Sequence, residues 1–583
     1  MEPGGGLQVS AEGPAIPRGG VRRLWTFPPP GFLALLGVLL LLIAYPLLVL
    51  VAASFGFGSL QEAGAPRGLG YYLQLLQHLS WLANSLGVSI AATLLALLFA
   101  AVLAWILGRT AVPGRRLLDT LIVIHYYMTP LVGALAWGML GAPRSGFINR
   151  AFQALTGSPD HLINTYSVGG IIWVLALFEM PSAYLMISAA MQGIDPSLEE
   201  SSFVLGGNQF VTALRVTLPL LRPAILGAAL FVFSSMMGAF AAPAVLGIPI
   251  RFYVATTAIY TLVSSYPPDY GLAAALGVVV ALFTAAAVWL YGWALGSRSY
   301  AVIGGRSYRP RLMSAGRWTP LLLLICWSYV LVGVLLPLGA LAFASIQRGD
   351  VTSLRIAEWT LSHYHFIFFE QEAARLAIKN SLLLGVMTGI GGVLLGGLIA
   401  WTVYRMRPAG RRILEYLATV PQGVPRLIFS LGLLWGWLVL ASKLYGTLWI
   451  LFLAYLTVFL PLSLRSLSGV VMQLERSLEE SARVLGASWL RTIRTITLPL
   501  LRPGVVATWM LLFIASIREL SASILLQSPK SRVLGPTIYD FWESGGLSRV
   551  SALTFVQTVI ILAALILMQR MIRRRKVPGK SVY

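Results

Sequence analysis

Residues 197–223 read SLEESSFVLGGNQFVTALRVTLPLLRP, and residues 477–503 read SLEESARVLGASWLRTIRTITLPLLRP, 280 positions later. Of the 26 residues from 198 to 223, 15 are identical in the second copy. A second set of matches lies 296 positions apart and pairs Asn84-Ser85 with Asn380-Ser381, Ala104-Trp105 with Ala400-Trp401, and Arg109 with Arg405. The chain is therefore a tandem duplication, and the difference between the offsets places 16 additional residues in the first copy.

The composition excludes an ordinary soluble protein. Of 583 residues, 57% are hydrophobic and 11% are charged, whereas soluble proteins carry about 25% charged residues. A bilayer-spanning helix needs about 20 mostly apolar residues. Twelve such stretches are present, at about 31–53, 82–107, 117–140, 168–190, 223–247, 270–294, 319–345, 380–404, 413–439, 447–468, 504–527 and 550–569.

The basic residues predict the orientation of these spans. With the N-terminus inside, 28 Lys and Arg fall in cytoplasmic segments and 11 fall outside. Because Lys and Arg accumulate in cytoplasmic loops, both termini are predicted to be cytoplasmic. Topology and contact with anionic membrane lipid thus account for most of the net charge of +22, and no nucleic-acid partner is expected.

The repeat also predicts how the chain is divided. An even number of spans returns each copy to the same side of the membrane, so two six-helix halves are expected in parallel orientation around a pseudo-two-fold axis. The fold class expected is an all-α integral membrane protein with about 12 transmembrane helices. The predicted parts are a cytoplasmic segment 1–30, a first half 31–297, a cytoplasmic linker 298–318, a second half 319–569 and a basic tail 570–583.

The repeated segment predicts a helix-turn-helix on the cytoplasmic face. Ser197 with Glu200, and Ser477 with Glu480, fit a capping box that would start a short helix. A glycine follows after about two turns, where a left-handed residue can end a helix. A connecting helix at the interface would be the simpler interpretation of one copy, but the duplication argues against it.

This pattern resembles the EAA loop in permease subunits of binding-protein-dependent ABC importers. The resemblance is carried by Glu199, Glu200, Ser201, Gly206 and Leu218-Pro219 in the first copy, and by Glu479, Glu480, Ser481, Gly486 and Leu498-Pro499 in the second. It implies two fused type I permease halves whose EAA residues couple to two copies of an ABC ATPase subunit. It further implies a periplasmic or lipid-anchored solute-binding protein and a bacterial cytoplasmic (inner) membrane.

Among these permeases, the fused arrangement most resembles the Fbp-type iron(III) importers and then the thiamine permeases. The similar segments are 238–247, 421–425 and 518–522. Polyamine, sulfate and phosphonate permeases have comparable segments, so iron(III) is the expected cargo with those solutes as alternatives. An ion-driven secondary transporter could also have twelve spans in two halves, but it would have no reason to keep two coupling loops.

The chain itself is not expected to be an enzyme or to bind a cofactor. Gly579-Lys580-Ser581 imitates the end of a phosphate-binding loop, but Arg574 stands where that motif needs its first glycine. One Cys and five His, without an HExxH motif, leave no hydrolytic or zinc site. ATP and Mg²⁺ are therefore expected on the partner ATPase.

Ionisable residues within spans are costly and mark candidate sites. The ionisable pathway candidates are Glu179, Arg426, Arg518 and Glu519. Phe240 and Pro243 are added from the segment 238–247, whose small residues and proline permit a broken helix beside the pathway. Packing between spans is the alternative explanation. Since Arg518 and Glu519 are adjacent, they point about 100° apart on a helix and should find separate partners.

Three further residues of the third span, His125, Tyr126 and Tyr127, are weak candidates for contact with a passing ferric ion. Imidazole and phenolate groups could bind the ion, and conduction would require that binding to be weak. Aromatic packing at a helix interface accounts for the same residues more simply.

Overall fold

A computed structural model describes residues 30–57, 66–295, 312, 316–348 and 359–573. Within these ranges the regular secondary structure is helical, apart from one isolated bridge between Gln347 and Trp359. The predicted segment 1–30 except its last residue, most of the predicted linker 298–318 and residues 574–583 of the predicted tail lie outside the described residues.

The first half contains eleven main helices among its described residues. They are α1 (Pro30–Ser54), α2 (Gly70–Arg109), α3 (Arg115–Tyr127), α4 (Pro130–Gly141), α5 (Phe147–Thr156), α6 (Val168–Gln192), α7 (Pro196–Val204), α8 (Ala213–Met237), α9 (Ala241–Ile250), α10 (Ala255–Ser264) and α11 (Tyr270–Leu295).

The second half follows the same order in outline. Its main helices are α12 (Gly316–Ser345), α13 (Glu372–Met406), α14 (Arg411–Gly423), α15 (Arg426–Leu440), α16 (Leu448–Val458), α17 (Leu460–Met472), α18 (Arg476–Val484), α19 (Leu490–Ile517), α20 (Leu534–Glu543) and α21 (Leu547–Arg573). A short helical turn, Ser362–His365, precedes α13.

Nine of the described helices are long and apolar enough to cross a membrane, and four bent pairs raise the possible number to 13. The bends are 101° between α3 and α4, 72° between α9 and α10, 112° between α14 and α15, and 51° between α16 and α17. The two largest of these bends occupy corresponding places in the two halves. Each half therefore carries a broken helix where the sequence predicted a continuous third span.

The predicted fifth span, 223–247, is wrong at its C-terminal end. Helix α8 ends at Met237, and residues 241–250 form α9, which belongs to a separate bent pair. Apolar residues continue through the break at Gly238-Ala239, so hydropathy gives no sign of it. The equivalent chain in the second half leaves the helix after Ile517 and forms turns before α20.

The two halves interlock through their first spans. Helix α1 packs against α15 of the second half, and α12 packs against α4 of the first half. The Tyr45 hydroxyl donates to the Gly436 carbonyl at 3.0 Å. At Gly432 the approach is so close that an added Cβ would lie 2.6 Å from the Pro46 carbonyl oxygen. The duplicated halves thus form one packed body.

The repeated Asn-Ser pair fixes the same junction in each half. Asn84 Nδ2 donates to the Tyr253 carbonyl at 2.9 Å, and Ser85 accepts from the Ala255 amide at the start of α10. In the second half Asn380 and Ser381 bind Arg532 and Leu534 in the same way, at 3.0 and 2.8 Å. These side chains satisfy backbone groups that would otherwise be unpaired at helix starts.

Candidate functional site

The first candidate region is the pair of repeated loops, where the structure corrects the predicted helix start. Helix α7 begins at Pro196, and its N-cap is Asp195, whose carboxylate accepts from the Ser197 amide at 2.9 Å. In α18 the N-cap is Glu475, which makes no side-chain cap hydrogen bond. The predicted capping boxes at Ser197 and Ser477 are therefore wrong, because both helices start earlier.

The predicted glycine turns are confirmed in both copies. Gly206 and Gly486 each have φ of +83°. In the first copy the Gly207 amide donates to the Ser202 carbonyl at 2.9 Å, and in the second the Ala487 amide donates to Ala482 at 3.0 Å. This hydrogen bond closes a Schellman motif, which favours glycine at the left-handed position.

A buried ion pair holds each loop against the body of the protein. Glu199 Oε1 accepts from Arg109 Nε at 3.0 Å and from the Thr217 hydroxyl at 2.7 Å, and the two charged side chains are 7% and 1% exposed. Arg109 also donates to the Met191 carbonyl at 3.0 Å. The carboxylate of Glu199 therefore faces the interior.

The second copy repeats this arrangement in a less buried form. Glu479 pairs with Arg405 at 3.1 Å and accepts from the Thr497 hydroxyl at 3.1 Å. Arg405 donates to the Leu474 carbonyl at 3.0 Å. Helices α2 and α13 thus position α7 and α18 through their C-terminal arginines.

The outer surface of each loop is apolar at its tip. Val204, Leu205, Val484 and Leu485 are each 87% exposed, immediately before the turn glycines. The other predicted loop residues, Glu200, Ser201, Glu480 and Ser481, are also exposed. Two rigidly held turns therefore present paired aliphatic side chains to the surroundings, which is typical of a protein-docking surface.

The second candidate region lies beside the α3–α4 and α14–α15 bends. It contains four of the six pathway candidates. Arg426 Nη1 lies 2.7 Å from Glu519 Oε2. Arg518 donates from Nη2 to the Met128 carbonyl of the first half at 2.8 Å and lies over the Tyr126 ring at 5.8 Å. As predicted, Arg518 and Glu519 have separate partners.

Glu179 of the first half completes a charged quartet with Arg426, Arg518 and Glu519. Its carboxylate accepts from Ser235 at 2.8 Å and from Ser182 at 3.3 Å, and it lies within electrostatic range of both Arg426 and Arg518. The quartet is asymmetric, because at the 280-residue offset Glu179 corresponds to Phe459 and Arg518 corresponds to Gly238.

The remaining two pathway candidates contribute to packing. Phe240 is 1% exposed and lies edge-on to Tyr260, with ring centroids 5.2 Å apart, and near Tyr539 of the second half at 5.9 Å. Pro243 is buried in α9, which packs against α4 and α6 of its own half.

The three weak metal candidates lie at an aromatic interface. His125 is fully buried, its Nδ1 lies 2.6 Å from the Tyr329 hydroxyl, and its ring packs edge-on against Phe178. Tyr126 and Tyr127 pack edge to face at 5.2 Å. Over the described ranges, no three His, Cys, Asp or Glu side chains converge on a possible metal site.

Sequence reasoning missed two parts of these regions. The exposed pairs Val204-Leu205 and Val484-Leu485 were visible as identical residues beside the turn glycines, and identity at apolar positions of a surface turn was the available signal. Arg109 and Arg405 stood out in the repeat, but their partners Glu199 and Glu479 belong to the other repeat offset. Only the packing of α2 and α13 shows that the pairs meet.

Comparison with known proteins agrees with the duplication. The profile of the family described as "Binding-protein-dependent transport system inner membrane component" matches residues 100–295 and again 392–577. The ferric transport system permease protein FbpB of Actinobacillus pleuropneumoniae is 28% identical over 567 residues, covering 94% of this chain and 79% of that protein.

Two further relatives are described as permeases for different cargoes. The putative ferric transport system permease protein FbpB 1 of Haemophilus influenzae is 28% identical over 522 residues, covering 86% of this chain and 78% of that protein. The putative 2-aminoethylphosphonate transport system permease protein PhnV of Salmonella typhimurium is 27% identical over 243 residues, covering 41% of this chain and 89% of that protein.

Proposed function

Because the chain belongs to the family of binding-protein-dependent transport system inner membrane components, we propose that it forms the solute pathway of an ATP-driven importer and couples to ATPase subunits through its two loops. The observation that carries the proposal is the pair of exposed aliphatic turns at Val204-Leu205 and Val484-Leu485. Apolar side chains with so much surface in water are stabilised when a partner covers them.

The two anchoring ion pairs explain how a loop of this kind transmits movement. Arg109 ties α7 to the end of α2, and Arg405 ties α18 to the end of α13. A force applied to either turn is therefore passed to a long helix of the same half. Two copies of an ATPase subunit would bind, one at each turn, and closure of the ATPase pair on ATP would drive alternating access.

The ATP and Mg²⁺ of this cycle belong to the ATPase subunits. Outside the membrane, a periplasmic or lipid-anchored binding protein would deliver the solute. The distribution of Lys and Arg supports an orientation in the bacterial inner membrane with both termini and both coupling loops in the cytoplasm.

Iron(III) is the proposed cargo element. The proposal rests on the ferric transport permeases, which align with most of this chain. An organic phosphonate is the second candidate, since relatives described as 2-aminoethylphosphonate permeases align with 41% of this chain.

The docking proposal is tested by replacing the four exposed aliphatic residues. In the variant Val204→Ser/Leu205→Ser/Val484→Ser/Leu485→Ser, co-purification of the cognate ATPase and solute-stimulated ATP hydrolysis should both be lost. The matched control is Leu155→Ser, because Leu155 is also 87% exposed but lies in α5, one span away along the chain. Full ATPase association in the fourfold variant would refute the assignment.

A further inference from the structure

The break between α14 and α15 places a positively charged side chain at the start of a buried helix. Arg426 is the first residue of α15, and its side chain is 55% exposed. Its neighbours Pro425, Leu427 and Ile428 are buried, as is the helix up to Leu433. The guanidinium therefore projects from a buried backbone and is itself accessible, within electrostatic range of Glu179 of the first half.

The carboxylate nearest to this guanidinium is inaccessible to a passing ion. Glu519 is 1% exposed; its Oε2 pairs with Arg426, and its Oε1 accepts from the Ala522 amide at 2.8 Å. Glu179, the other acid of the quartet, accepts from two serine hydroxyls of its own half. The accessible member of the Arg426–Glu519 pair is thus the cation.

Two further observations favour an anion beside Arg426. No side chain caps the N-terminus of α15, a 15-residue helix that starts at the bend, and an uncapped helix start carries a partial positive charge and free amides. In addition, Arg518 Nε is buried and has no hydrogen-bond acceptor among the described residues. Half-helix N-termini in transporters commonly point at anionic groups of substrates.

We propose that Arg426 and the start of α15, with Arg518 beside them, bind an anionic oxygen group of the transported solute: a carboxylate, phosphate or phosphonate. The inference rests on the proposed importer function and narrows its cargo. A bare trivalent cation would meet a guanidinium at this point. Iron(III) would therefore pass as a complex with an anionic ligand, or the cargo is itself an organic anion.

Binding can be measured on the purified full-length permease in nanodiscs, without ATPase or binding protein. The anionic probes for isothermal titration calorimetry are citrate, iron(III) citrate and 2-aminoethylphosphonate. The control probe is hexaamminecobalt(III), a trivalent cation that does not exchange its ligands. At least one anionic probe should bind, and hexaamminecobalt(III) should not. Binding of iron(III) citrate alone identifies a chelated metal, and binding of the phosphonate alone identifies an organic anion.

Substitutions test whether Arg426 forms the anion site. Arg426→Gln combined with Glu519→Gln removes both charges of the pair and should weaken anion binding about tenfold, the loss expected for one charge-assisted contact. Glu519→Gln alone leaves the guanidinium without its partner and should bind the anion at least as tightly as wild type. Arg317→Gln is the control, because Arg317 is exposed beside Trp318 at the start of α12.

A measurement on the wild-type protein avoids any folding defect of the variants. Phenylglyoxal modifies accessible guanidinium groups, and the bound anion should protect Arg426 but leave Arg317 reactive, as read by peptide mass spectrometry. Binding that is unchanged in the double variant, a lack of protection, or preference for hexaamminecobalt(III) would overturn the proposal. Because no ATPase is present, these results are independent of whether the loops dock one.

Discussion

The buried Arg109–Glu199 ion pair holds the surface loop that contains α7 against α2. Both side chains are almost fully buried, and the pair is completed by Thr217 and the Met191 carbonyl. Removing one member of such a pair leaves an uncompensated buried charge, whereas an exposed ion pair contributes little. The neighbouring Glu200 is exposed and serves as the reference for the same change.

We therefore expect Glu199→Gln to destabilise the folded permease by about 3–5 kcal/mol, with Glu200→Gln close to wild type. The measurement is thermal unfolding of the detergent-purified protein, together with limited proteolysis of the α7 loop. Equal stability of the two variants would show that the buried pair does not hold the loop.

The error over Ser197 has a simple local cause. The sequence offers two overlapping helix-start signals, the Ser-x-x-Glu pattern and the preceding Asp195-Pro196. Proline is favoured at the first helical position because it has no amide hydrogen to satisfy, and aspartate is a good cap. The structure follows the second signal, so Ser197 lies inside the helix.

The turns at Gly206 and Gly486 depend on a backbone conformation that side chains disfavour. Gly206 has φ of +83°, and an added Cβ there would have no atom within 4 Å. A substitution at this position is therefore penalised by backbone strain and not by collision. β-branched residues are most disfavoured in this region, whereas asparagine tolerates it.

We expect Gly206→Val to weaken ATPase co-purification several-fold, and Gly206→Asn to retain most of it. Combining Gly206→Val with Gly486→Val should abolish association, while the permease still elutes as a folded species. The assay is pull-down of the cognate ATPase at equal permease concentration. A Gly206→Asn variant as defective as Gly206→Val would point to a need for an unobstructed surface instead of a left-handed turn.

The helices were predicted with uneven success, and the failures share one cause. Straight spans such as α6 were predicted within two residues at either end, because an apolar run with polar flanks marks both boundaries. The sharp bends at Met128-Thr129 and Val424-Pro425 fall inside stretches that are apolar on average, so a hydropathy window averages out the local signals of Pro130 and Pro425. These bends nevertheless bring the charged quartet together. Its residues could therefore be nominated one by one from the sequence, but their proximity could not be predicted.

The arrangement of the complete chain follows from the duplication in outline only. Two offsets in the sequence predict two halves, and the family match covers both. The exchange of first spans, with α1 on the second half and α12 on the first, has no signature in a single sequence, because lipid-facing and protein-facing apolar residues look alike. Contacts such as Tyr45 with Gly436 therefore emerge only from packing.

The membrane orientation is the broadest prediction still to be tested. Leu155 in α5 and Glu200 in α7 are both exposed and are separated along the chain by a single apolar helix, α6. They should therefore lie on opposite sides of the membrane. The excess of Lys and Arg in one set of segments, 28 against 11, predicts that Glu200 lies in the cytoplasm.

Single-cysteine labelling decides this orientation. Cys326 is the only cysteine of the chain and is 1% exposed, so Cys326→Ser provides a background into which Leu155→Cys or Glu200→Cys is introduced. A membrane-impermeant maleimide should modify Leu155→Cys in spheroplasts and reach Glu200→Cys only after permeabilisation. The reverse pattern would invert the topology and place the proposed coupling turns outside the cell. Labelling of both positions from one side would mean that α6 does not cross the membrane, which would contradict the arrangement of spans on which both proposals depend.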